Sequence, residues 1–170
     1  MKRLTLLVLV SVWLVGCTTF QPSIPEGYTG PIATIKDSEK RIDGGKADMF
    51  YLSHIDGNEI RSSHKATRSA SHGLGNTLKT VLLENEVPTG SHVFSIVGKT
   101  VYAMPSRAMT GTVYEVKGDI EFSPLTNGKY IVKGILTEGK CAVWLENISN
   151  GEILKKIEVE NSCKLGFFEK

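Results

Sequence analysis

Apolar residues recur at every second position through much of this chain, and that period belongs to strands. From Tyr114 the even positions read Tyr114, Val116, Gly118, Ile120 and Phe122, while the odd ones read Glu115, Lys117, Asp119 and Glu121. Such alternation sets one face of a strand on a core and the other in water. Pro124 ends the run. Asn127-Gly128 then favours positive φ and turns the chain into a return strand over 130–137. A second hairpin is expected across Asn150-Gly151, joining 141–146 to 153–158. Residues 49–55 run into Asp56-Gly57-Asn58 and on to Ile60, a third hairpin. Residues 93–97 and 100–104 flank Gly98-Lys99 as a fourth.

Short strands with turn signals about every 8–12 residues predict an all-β protein. The expected architecture is a single antiparallel β-sandwich of hairpins over 32–170, with room for one short helix. Only 77–85 offers a helical face, through Leu78, Val81, Leu82 and Asn85. Thr80, Val81, Leu82 and Leu83 suit a strand equally well. The charged stretch 36–48 around Gly44-Gly45 reads as a loop.

The N-terminus has a different character. Lys2 and Arg3 precede a run over 4–15 that is apolar except for Thr5 and Ser11. As a helix it would measure about 18 Å, against a hydrocarbon core of roughly 30 Å, too short to span. Charge, length and position fit a secretory signal peptide over 1–16. Its last residues and the next, Leu14-Val15-Gly16-Cys17, resemble a bacterial lipobox. That resemblance implies that Cys17 takes a diacylglyceryl group and becomes the new N-terminus, with several acyl chains giving a firm anchor. Thr18, where Asp would signal retention, is similar to Gram-negative outer-membrane sorting. The implied location is the cell envelope, lipid-anchored at the outer membrane and facing the periplasm. Pro22, Pro25 and Pro31 with Gly27 and Gly30 make 17–31 an extended tether behind the lipidated cysteine. At about 3.1 Å per residue it would reach some 40 Å.

The chain holds 20 basic and 18 acidic side chains. Lys2 and Arg3 make up the excess, so the remainder is balanced, and nucleic acid is not an expected partner. With Cys17 set aside, Cys141 and Cys163 form an even pair in a disulfide-permissive compartment. A bridge there would contribute roughly 3 kcal/mol. Two separate buried thiols are the alternative, because the expected hairpin sets Cys141 opposite residues near 157 and Cys163 must fold back to reach it.

Asp56-Gly57-Asn58, Val87-Pro88-Thr89-Gly90-Ser91-His92-Val93-Phe94 and Gly128-Lys129-Tyr130-Ile131-Val132 follow one another along the chain. This order resembles small envelope lipoproteins of unknown function with a PEGA-like β-sandwich, an immunoglobulin-like architecture. The resemblance covers about 47–145. It implies a fold and an envelope setting, and no catalytic residue.

No motif specifies chemistry. Ser71-His72-Gly73 begins like the L,D-transpeptidase motif, but Leu74 stands where the nucleophilic cysteine would be. Ser62-Ser63-His64-Lys65 fits S-x-x-K without its partner motifs. His54, Asp56, Glu59 and His64 match no standard metal-ligand spacing. His92 is expected to bond the backbone of its turn. No catalytic group, metal or cofactor is therefore expected. The segment 61–83 is basic and free of acids, with Arg61, Lys65, Arg68 and Lys79, and reads as a mobile loop that Arg107 could join. Trp144 lies on the face of its strand away from the core, and the expected cover for it is a further layer or the C-terminal residues Leu165, Phe167 and Phe168. The expected function is a non-catalytic interaction or assembly module held to the membrane by lipid, with an envelope protein as partner. The alternative is a module for glycan, lipopolysaccharide or lipid headgroup that uses Arg61, Lys65, Arg68, Lys79 and Trp144.

Overall fold

The computed structural model describes residues 21–160 and 162–169. The signal peptide expected over 1–16 and the lipidation expected at Cys17 lie outside the described residues. Among those described, no helix is long and apolar enough to cross a membrane.

Two sheets face each other. The first has the order β10 (Ile153–Glu160), β9 (Lys140–Asn147), β8 (Lys129–Leu136), β1 (Ile32–Lys36), β5 (Glu84–Pro88). The second has β2 (Ser38–Asp43), β3 (Lys46–Ile55), β6 (His92–Tyr102) and β7 (Glu115–Phe122), with β4 (Asn58–Glu59) paired on β3. Pairing is antiparallel except between β1 and β8. This is the expected β-sandwich with one parallel contact. Its core contains Ile35, Phe50, Leu52, Phe94, Ile96, Val132, Val143 and Leu145, all buried.

Several local expectations give way to tertiary structure. Gly98-Lys99 does not turn, and β6 runs straight through it. Gly98 lies opposite both Phe50 and Val116, where a side chain would meet both. The Asn127-Gly128 turn forms, with Asn127 at φ 58°, yet β7 and β8 do not pair. The connection crosses between sheets and docks on β1, where Asn127 N donates to Ile32 O and Thr34 N to Gly128 O. Residues 36–48 are not a loop: β2 and β3 form a hairpin about Gly44-Gly45. The Asp56-Gly57 hairpin and the pairing of β9 with β10 form as expected.

The helix is also displaced from the expected place. α1 spans Ser63–Ser71, inside the stretch read as a mobile loop, and α2 spans Pro105–Thr110. Ser62 caps α1, its hydroxyl accepting from Lys65 N. Ser63, Thr67 and Ser71 recur every four residues and so share one face. Their hydroxyls accept from Leu83 N (2.8 Å), Val81 N (2.8 Å) and Lys79 N (2.9 Å) respectively. Four helical residues advance about 6 Å and two extended residues about 6.6 Å, so the two spacings match. The helix thus acts as a partner strand for 79–83, which continues into β5.

Cys141 and Cys163 lie at disulfide distance, with Cα atoms 6.1 Å apart. Cys141 stands opposite Val159, and the chain beyond β10 does fold back: Cys163 O accepts from Glu115 N.

Candidate binding groove

The outward face of β3, β6 and β7 carries two kinds of surface. Towards the Gly44-Gly45 end it is apolar: Ala47, Met49, Tyr51, Val97 and Val101 pack with Leu78 in a second buried cluster. Towards the β4 end it is polar. Ser53, His54, Ser95, Lys117 and Asp119 floor an open groove of about 510 Å³, walled by Ser62, His64 and Lys65 at the start of α1 and bordered by Glu59. A bulge between Leu52 and His54 makes this floor. One extra residue lets Leu52 and Ile55 both join the core, while Ser53 and His54 both line the groove.

The polar groups of the floor bond one another. Ser53 Oγ donates to Ser95 O at 3.0 Å, and His54 Nδ1 lies 3.0 Å from Ser53 Oγ. Ser95 Oγ donates to Asp119 Oδ1 at 2.6 Å. Glu115 pairs with Lys99 and, at 3.6 Å, with Lys117. Lys65 pairs with Glu59 at 2.8 Å and, by that hydrogen bond, lowers the Glu59 pKa. His64 stacks on Tyr51, with ring centroids 5.7 Å apart and planes at 15°. Burial, aided by Lys99 and Arg68, holds His64 down at about 4, so the ring is neutral at neutral pH. Burial pushes the Tyr51 phenol well above its usual value.

The serine hydroxyls of the floor are engaged by acceptors within the groove. A serine nucleophile needs a base to take its proton and a third group to orient that base. Here the Ser53 proton goes to a carbonyl and the Ser95 proton to Asp119. The three carboxylates Glu59, Glu115 and Asp119 stand among Lys65, Lys99 and Lys117. Charges of both signs are therefore matched within the groove.

The residues read from sequence as a ligand site are dispersed. Arg61 is an exposed residue before α1, and Arg68 is exposed on α1. Lys65 reaches the groove, whereas Lys79 lies in the extended segment bonded to Ser71. Segment 61–83 is therefore a packed layer and not a mobile loop. Four of its six buried residues, Ser62, Ser63, Thr67 and Ser71, are polar, with Ala66 and Leu78 the apolar pair, so hydropathy only weakly marks it as packed. Trp144 sits on β9 in the other sheet, opposite Lys133 and Lys156, with Nε1 donating to Glu146 Oε2 at 3.3 Å. It shares no site with 61–79. The expected C-terminal cover for it goes elsewhere: Leu165 N donates to Val113 O, Tyr114 bridges Lys164, and Phe168 is 97 % exposed.

The other candidates resolve locally. Ser62 is the helix cap and Ser71 a ladder hydroxyl. His92 bonds a side chain and not its turn backbone, with Nδ1 2.7 Å from Asp56 Oδ2. This draws Asp56 away from His54, Glu59 and His64, and among the described residues no group of three or more is placed to hold a metal. Arg107 does meet segment 61–83, through Asn76 Oδ1 at 2.8 Å. Ser53, Ser95, Lys117 and Asp119 carry no motif that marks them as a site in the sequence. One signal was available: residues 47–52 are apolar on both faces except Asp48, which indicates a strand covered on both sides. The groove begins where that cover stops.

No family model, curated protein or solved structure matches the chain.

Proposed function

We propose that this chain is an envelope protein, lipid-anchored at Cys17, that works without catalysis as an interaction module and receives its partner in the groove beside α1. The observation that carries this reading is the groove itself: an open floor of half-buried hydroxyls and matched charges on a hydrogen-bonded sheet, with its serine protons engaged by acceptors. Rigid sheet positions keep such a contact in place without reorganisation on binding. The lipobox-like Leu14-Val15-Gly16-Cys17 supports the anchor. An envelope protein is the favoured partner, because a chain segment can match alternating donors and acceptors along the groove. Polyanion recognition through Arg61, Lys65, Arg68 and Lys79 has less support, since Lys65 is paired with Glu59.

The test is photo-crosslinking in cells from position 117, with position 86 on β5 as a control in the other sheet. One dominant protein adduct from 117, lost on Asp119→Arg, is the expected result. Equal adducts from both positions, or an adduct that ignores Asp119→Arg, would sink the groove as the contact. Cys17→Ser should move the protein from membranes to the soluble fraction, and retention on membranes would overturn the anchor.

A further inference from the structure

The start of the described chain is not free of the domain. Gln21 N donates to Glu59 O at 3.1 Å, and Gln21 forms a parallel bridge with Ile60. Only residues 18–20 separate Gln21 from Cys17. A chain spans at most about 3.6 Å per residue, so Cys17 lies no more than ~14 Å from Gln21. A tether free along its whole length would permit some 40 Å; this bridge uses most of that length against the domain.

We infer that the β3–β4 pole of the sandwich is held against the bilayer surface, with the lipid headgroups as its partner. The inference rests on lipid attachment at Cys17. Glu59, at the end of the groove, then sits within reach of the headgroups. Its carboxylate is paired with Lys65, Asp56 Oδ2 lies 2.7 Å from His92 Nδ1, and Arg61 is exposed at the same pole, so the pole carries charged groups of both signs that can meet a zwitterionic or mixed headgroup layer. The opposite pole lies a β3 length away, about 33 Å. There Leu78 N bonds Gly44 O and Arg107 reaches Asn76, and Leu74 is 46 % exposed. The groove therefore opens beside the membrane, and a partner in it would lie close to the surface.

The experiment uses the full lipidated chain in vesicles of phosphatidylethanolamine and phosphatidylglycerol that carry a headgroup-linked quencher. A fluorescent residue replaces Asn58 at one pole or Leu74 at the other. Quenching several-fold stronger at 58 than at 74 is expected. Gln21→Pro removes the N–H that bonds Glu59 while leaving Cys17 intact, and should abolish that contrast without loss of vesicle binding. Equal or reversed quenching in the lipidated protein would overturn the orientation and leave the anchor standing, as would a contrast that survives Gln21→Pro. Absence of lipid from Cys17 by mass spectrometry, with protein that does not float with vesicles, would overturn both together.

Discussion

Asp37 is the residue on which the two sheets turn. It is the single residue between β1 in one sheet and β2 in the other, and it is buried. Its carboxylate accepts from Leu52 N at 2.9 Å and from Ser63 Oγ at 2.5 Å, and its own N donates to Leu83 O. Leu52 lies just beyond the reach of β2, whose pairing with β3 stops at Phe50, so Asp37 satisfies a donor that the sheet leaves over. Burial outweighs these hydrogen bonds and pushes its pKa up to about 7. The folded state then holds a proton that the unfolded chain releases above about pH 4. The resulting stability is fully present below the unfolded value and is lost as pH rises through about 7. Asp37→Asn should flatten the stability profile between pH 4 and 7 relative to the parent, by up to ~1.4 kcal/mol per pH unit. Urea titrations at several pH values measure this, and parallel profiles would refute it. Sequence could not flag Asp37: it reads as one more charge in a stretch of charges, and only the corner buries it.

At the scale of elements, α1 is held more by hydroxyls than by apolar packing. Only Ala66 among its apolar residues is buried, alongside Ser63, Thr67 and Ser71. Thr67→Val keeps the branched shape but leaves Val81 N without its acceptor. The expected cost is about 1 kcal/mol, the low end of the penalty for a donor left unpaired, because Val81 N is only partly buried. Arg68→Ala, one residue on and exposed, should cost within ~0.5 kcal/mol. Denaturant unfolding of the pair reads the difference, and equal stabilities would show that the ladder contributes nothing. Helix patterning looks for apolar residues at i, i+4 and i+8, and here hydroxyls occupy those places. The segment therefore read as a solvated basic loop. The Gly98-Lys99 turn failed for the opposite reason. Its local signal was genuine in kind, but pairing on both sides of β6 made a straight strand the better solution.

For the whole molecule, the two sheets are joined at the end where Cys141 on β9 meets Cys163, whose carbonyl is bonded to the start of β7. The double variant Cys141→Ser, Cys163→Ser should lose roughly 3 kcal/mol of stability, as the chain-entropy model gives for a loop of this length. Reduction of the parent protein should bring it to the same stability. A double variant as stable as the oxidised parent would exclude the crosslink as a staple.

The strand-rich class, the Asp56-Gly57, Asn127-Gly128 and Asn150-Gly151 turns, and the pairing of β9 with β10 are legible in the order of residues alone. These follow from period and turn chemistry, which act within a few residues. Tertiary structure decided which strands share a sheet, that segment 61–83 is packed, and that Ser53, His54, Ser95 and Asp119 form one floor. The groove depends on contacts between residues as far apart as 53, 95 and 119, and on a bulge that shifts the phase of β3 by one residue. Alternation states which face a residue takes along its own strand. It does not state which strand lies next to it, because that is chosen by burying both faces of a sheet at once.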